Sequence, residues 1–114
     1  MLIDTRAIGF GMTDALQRYV EHRVESALGP LAHHVLKVTV RLEDVNANRG
    51  GVDKRCGVTI ALRRNRTVIA EAVNADMYAA IDAAVTRARH GVVRRLTRSA
   101  RLRRQLAQRS VALV

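Results

Sequence analysis

Residues 36–43 alternate without a break: Leu36, Val38, Val40 and Leu42 are apolar, and Lys37, Thr39, Arg41 and Glu43 lie between them. A second stretch repeats the pattern, with Cys56, Val58, Ile60 and Leu62 set against Arg55, Gly57, Thr59, Ala61 and Arg63. Successive side chains on a strand point to opposite faces, so period two means strands with one dry face and one wet face. A sheet built from such strands needs cover on one side only, and two amphipathic segments are available to supply it. In the first, about residues 13–28, Leu16, Tyr19, Val20, Val24, Ala27 and Leu28 recur at helical spacing. Thr13 is a good N-cap, Asp14 suits the first turn, and Gly29-Pro30 is a strong stop. In the second, residues 76–97, Met77, Ile81, Val85, Ala88, Val92 and Leu96 share one face. Gly91 interrupts that helix at a cost of about 1 kcal/mol, and the helix is expected to run through it.

The other elements follow from turn chemistry. Residues 2–8 are a short β-prone run closed by Gly9-Phe10-Gly11. Asp44 to Gly51, with two Asn and two Gly, reads as a loop. Arg64-Asn65-Arg66 is a tight basic turn, and Thr67 to Asn74 is a third run that completes a hairpin. Both alternate sets of that run contain apolar residues, so its inward face stays open. The expected order is β-α-β-β-β-α, an α+β fold with a four-stranded mixed sheet and both helices packed on one face. The first two strands are expected to be parallel around a right-handed crossover, and the rest antiparallel. Residues 1–98 are expected to form the domain, with 99–114 a basic C-terminal extension, either helical or flexible.

Charge is unevenly placed. Ala83 to Val114 holds nine arginines and no carboxylate, while the chain as a whole has a net charge of +10. A solvated helix face normally mixes signs. An anionic partner relieves such crowding, and nucleic acid is the foremost class. Arg87, Arg94, Arg95 and Arg98 are the leading RNA-contact candidates, with Arg89 and His90 as flankers. Helical phasing places Arg87, Arg94 and Arg98 in one stripe opposite the apolar face. The hairpin cluster Arg63, Arg64 and Arg66 is a second candidate surface. Lys37, Arg41 and Arg55 would share the open sheet face, where Glu43 can neutralise part of their charge. Phe10, Tyr19 and Tyr78 are the only aromatics. That is too few for a module that stacks bases on a sheet, so binding must use phosphate and shape.

Asp76-Met77-Tyr78-Ala79-Ala80-Ile81-Asp82 opens the second helix. With the element order, this run resembles the ribosome hibernation-promoting factor and ribosome-associated inhibitor family, also called sigma-54 modulation proteins. The start, Leu2-Ile3-Asp4 through Leu16 and Tyr19-Val20, is similar to the family's first strand and helix. Arg41 to Asn46, Arg49-Gly50-Gly51 and Asp53 to Cys56 resemble a divergent branch. The resemblance spans roughly residues 1–97. It implies a protein that binds 16S rRNA in the decoding channel of the small ribosomal subunit, excludes mRNA and tRNA, and silences translation under stress. Better-known members are richer in Lys along the second helix, and long members carry a C-terminal dimerisation domain. This chain resembles a short form.

Other chemistry is poorly supported. His33-His34 are neighbours that would point opposite ways on a strand, and no second ligand pair has zinc spacing. Glu43, Asp44 and Asp53 flank one loop, but no nucleophile, phosphate loop or catalytic histidine accompanies them, so no enzyme activity is expected. Cys56, on a dry face, reads as an inert thiol, and a single cysteine fits a reducing compartment. Asp76, Tyr78 and Asp82 have structural roles open to them: capping, packing and ion pairing. No apolar run approaches the roughly 20 residues a membrane span needs, and no signal peptide is evident. A cytoplasmic protein with no cofactor, no membrane contact and no small-molecule substrate is expected. A generic module that reads nucleic-acid shape is the alternative, and an adaptor whose basic tail docks an acidic partner is a third.

Overall fold

The computed structural model describes residues 1–45, 53–64 and 66–112, with side chains through Gln108. The order is β1 (Leu2–Ile8), α1 (Asp14–Leu28), a 3-10 turn (Gly29–His34), β2 (Val35–Asp44), β3 (Lys54–Leu62), β4 (Arg66–Asn74) and α2 (Met77–Ala112). The four strands lie in the order β1-β2-β3-β4, with β1 parallel to β2 and the other pairs antiparallel. This is the expected α+β mixed sheet. The expected loop at 44–51 begins later than supposed, since Asp44 still pairs with Lys54. Asn46 to Gly51 lie outside the described residues, as do Asn65 of the basic turn and the side chain of Arg109.

Thr13 caps α1 as its chemistry suggests: its Oγ1 accepts from the Leu16 N–H at 3.2 Å. The α1 helix ends at Leu28, but Gly29-Pro30 does not halt the chain. It tightens into the 3-10 turn, which carries His33 and His34. These histidines therefore sit on a helical turn, not on a strand.

The dry face of β3 is the one its alternation marked, with Cys56, Val58, Ile60 and Leu62 buried. In β2 the first residue differs. The register shifts between Val35 and Lys37, so Val35 is buried and Leu36 is turned outward, 49% exposed. A bulge of this kind flips the side chains before it relative to those after it. The open question in β4 resolves toward Val68 and Ala72, which are buried, while Ile69 is 76% exposed. Burial of each large aliphatic group contributes about 1.5–3 kcal/mol, so this one-sided core supplies most of the driving force.

Helix α2 lies on β3 and β4 and against α1. Its inward residues are Met77, Ala80, Ile81, Ala84, Val85, Ala88 and Val92, with Leu96 partly buried. It does not stop at residue 97 but runs to Ala112. At 1.5 Å per residue this is a rod of about 54 Å, which explains the long dimension of the molecule, 68 × 23 × 19 Å. Residues 101–108 are exposed on all sides.

The helix passes through Gly91, and the reason for glycine is spatial. A Cβ there would sit 2.6 Å from Cγ1 of Val68. Alanine would gain about 1 kcal/mol of helix propensity but would lose about 1–3 kcal/mol to overpacking. We therefore expect Gly91→Ala to lower stability by about 1 kcal/mol in urea denaturation. In a Val68→Ala background the same change should become stabilising. A destabilising effect of equal size in both backgrounds would rule out the close approach as its cause.

Candidate nucleic-acid interface

The site begins with how α2 is anchored. Asp76 caps it: its Oδ1 accepts from the Tyr78 N–H at 3.1 Å, and its carbonyl accepts from Ala80 at 3.0 Å. Asp82, one turn in, accepts from the Tyr19 hydroxyl at 2.6 Å and from Arg23 Nε at 2.9 Å. Tyr19 and Tyr78 meet edge to face with centroids 4.8 Å apart. Asp82 and Tyr78 of the helix-opening heptapeptide thus bind α2 to α1, while Asp76 caps α2. The hydrogen bond to Asp82 raises the Tyr19 phenol above its ordinary range, with burial adding to the effect.

Beyond this anchor the helix carries only cations among its charged groups. Arg87 Nη1 donates to the Glu71 carbonyl at 2.7 Å, reaching the free edge of β4. Arg94, Arg95 and Arg98 line a shallow groove with Val68, Ile69 and Gly91. The Arg87–Arg94–Arg98 stripe is therefore not opposite the apolar face. It runs along the border where α2 meets the β4 edge. Arg89 turns the other way, donating to the Ala27 carbonyl at 3.2 Å on α1. His90 is exposed beside the stripe.

The hairpin joins this surface, which spacing in the sequence gave no means of seeing. Arg66 donates to the Arg95 carbonyl at 3.4 Å and to the Ser99 hydroxyl. Arg63 Nε donates to the His33 carbonyl at 2.7 Å. Arg64 sits at the turn with φ of +68°. Arg63, Arg64 and Arg66 thus stand beside α2 around Leu96, Ser99 and Ala100, where Arg103 joins them.

Lys37, Arg41 and Arg55 fall on the open sheet face, away from the helices. Lys37 is at the hairpin end, paired in register with Ala61. Arg55 lies between Glu43 at 3.6 Å and Glu71 at 3.4 Å. Arg41 shares a pocket with Glu43, Arg55 and Glu71. That face is mixed in sign. Among the described residues the ion pairs involve Arg6, Arg23, Lys54 and Arg55, and none involves the hairpin arginines or an α2 arginine.

The groups considered for other chemistry are tied into the structure. Lys54 Nζ lies 2.9 Å from Asp44 and 3.2 Å from Asp53. Its hydrogen bond to Asp44 holds the ammonium above the usual lysine range. Burial pushes the Cys56 thiol up to about 12. Among the described residues no group of three or more His, Cys, Asp or Glu is arranged to hold a metal. No helix among them is long and apolar enough to cross a membrane.

Fold and surface together define a small α+β domain with an arginine surface that, among the described residues, forms no ion pairs. The family model for sigma 54 modulation protein / S30EA ribosomal protein matches residues 3–108, and the chain belongs to that family. Two solved structures are similar. The N-terminal domain of Protein Y from Thermus thermophilus has a TM-score of 0.69 at 29% identity, covering 82% of this chain and 98% of that one. A ribosomal subunit interface protein from Coxiella burnetii has a TM-score of 0.73 over 85% of this chain and 99% of that one, and at 18% identity the likeness is one of fold. No curated protein gives a significant match.

The Asp82 hub generates a direct test. Removing the carboxylate in Asp82→Ala should bring the Tyr19 phenol down toward its ordinary pKa. Ultraviolet titration in a Tyr78→Phe background isolates that ionisation. An unchanged midpoint would mean that Asp82 does not hold the Tyr19 hydroxyl in solution.

Proposed function

We propose that this protein is a ribosome hibernation factor that binds 16S rRNA in the decoding channel of the small subunit and excludes mRNA and tRNA. Family membership supports the ribosome as partner, and the similar Coxiella burnetii protein is described as a ribosomal subunit interface protein. The observation that carries the RNA-binding part is the segregation of charge. Arg94, Arg95 and Arg98 of α2 lie beside the hairpin arginines, and among the described residues none of these forms an ion pair, while Arg55 on the open sheet face is partly neutralised. With three aromatics in the chain, two of them packed against each other, base stacking has little to work with. Recognition then rests on phosphate geometry, which a folded rRNA channel presents in a fixed array. The protein acts by occupancy and not by catalysis, in the cytoplasm where ribosomes are.

Arg94, Arg95 and Arg98 are the central contacts in this reading. Arg87, Arg89 and Arg63 donate to backbone carbonyls and hold the surface in shape, with His90 and Arg64 at its margins. Cosedimentation with 30S subunits over a salt series tests it. Binding should fall linearly on a log–log plot, and Arg94→Gln/Arg98→Gln should reduce the slope by about 1.4–1.8, that is about 0.7–0.9 per lost phosphate contact. Arg41→Gln/Arg55→Gln should change it much less. A protein that stays at the top of the gradient at low salt would sink the ribosomal reading. Equal affinity for arbitrary duplex RNA would favour a generic nucleic-acid module instead.

A further inference from the structure

Between the 3-10 turn, the β3–β4 hairpin and α2 lies a cavity of about 390 Å³, lined by Arg63, Arg64, Arg66, Arg103, His33 and His34. No carboxylate lines it. Two of its guanidiniums are already held in place by the protein: Arg66 by the Ser99 hydroxyl and the Arg95 carbonyl, and Arg63 by the His33 carbonyl. Each guanidinium has five N–H donors, so these contacts leave further donors free. An ordered arginine loses less freedom on gripping an oxyanion than a free one. Arg64 adds a third at the turn, in a left-handed backbone conformation (φ +68°) that favours glycine. A bulky residue held there invites a functional explanation, and a guanidinium at the rim of a basic cavity supplies one.

We propose that this cavity is a seat for two adjacent phosphoryl groups. Its four arginines exceed what one tetrahedral anion needs, and its volume is in the range of small-ligand sites, about 300–1,000 Å³. The phosphates can belong to an RNA backbone or to a free polyphosphate. The seat lies at the end of the arginine groove, but it goes beyond the ribosomal reading and is tested without ribosomes, so either can fail alone.

The experiment titrates inorganic pyrophosphate into the whole chain by calorimetry at ionic strength fixed with chloride. Saturable one-to-one binding is expected, about tenfold or more tighter than orthophosphate or sulfate. Arg64→Gly/Arg103→Gln should weaken it about tenfold or more. Glycine suits the backbone at 64 and glutamine suits an exposed helix position, so this variant should melt no lower than the parent. Arg6→Gln/Arg18→Gln, which removes two charges outside the cavity, should leave the affinity within about twofold. No saturable binding by the parent, or equal loss in both double variants, overturns the seat. Competition with a 5′-hydroxyl RNA hairpin identifies the source: displacement assigns the seat to backbone phosphates, and simultaneous binding assigns it to a free polyphosphate.

Discussion

The close approach of α2 to β4 at Gly91 is the contact on which the rest of the surface depends. With no side chain at that point, the helix comes down until Val68 Cγ1 occupies the space a Cβ would take. One turn further on, Arg94 and Arg95 reach the groove floor formed by Val68 and Ile69. One turn before, Arg87 reaches the Glu71 carbonyl. The same descent brings Ser99 within reach of Arg66 on the hairpin. A helix held further from the sheet by a methyl group would keep its core but would separate the two arginine clusters. A glycine that is unfavourable for the helix by itself thus joins residues about thirty positions apart into one surface.

Charge is divided by the same geometry. Four of the ten carboxylates lie on β1 and α1, and the other six lie at the start of α2 and at the far end of the sheet. There Asp76 caps α2, Asp82 pairs with Arg23, Glu43 and Glu71 with Arg55, and Asp44 and Asp53 with Lys54. The part-exposed pairs of Asp82, Glu43 and Glu71 contribute little stability, about 0–1 kcal/mol each, whereas Asp53 is buried beside Lys54. The larger effect of these pairs is on the field, because they leave the sheet face mixed in sign and the α2 border positive. An anion approaching the molecule is drawn most strongly toward the α2 border, which orients it before contact.

Much of this was legible in the chain. Strict alternation marked β3 and its dry face residue by residue, and the apolar stripe marked α2 through Val92. The misses have physical causes. Alternation sets Leu36 inward because a bulge leaves no trace in a pattern of alternating residues. The inward face of β4 was open because Ile69 and Val73 are as apolar as Val68 and Ala72, and only the helix lying on the sheet decides between them. Residues 99–114 read as either helical or flexible because the apolar face of α2 fades where the sheet ends, and the structure takes the helical alternative through Ala112. The segment nevertheless has no Gly or Pro and is rich in Arg, Leu, Gln and Ala, all good helix formers. Helical phasing groups the arginine stripe but sets it opposite the core, since a helical wheel shows angles and not neighbours. The meeting of hairpin and helix lay beyond any local pattern.

The projecting end of α2 couples fold to function. Residues 101–108 are all exposed, and a short helix with so little tertiary packing is marginal in water. Arg94 and Arg98 are four apart, Arg98, Arg101 and Arg104 follow at intervals of three, and like charges at those spacings repel. No acidic residue in the segment offsets this. Leu102 and Leu106, four apart and about half exposed, are too few to hold the rod by themselves. Its helicity therefore depends on whatever screens the arginines. Mobile salt screens them weakly and everywhere alike, whereas a fixed row of phosphates screens them at the positions where they stand. An anion that matches the spacing of the rod stabilises the helix it binds, and the ordered helix in turn presents its arginines at constant pitch. Salt acts on the two halves of this cycle in opposite directions: it relieves repulsion in the free rod and competes for the phosphates of the bound one. In the proposed RNA complex the rod thus responds to the regular placement of negative charge more than to its amount.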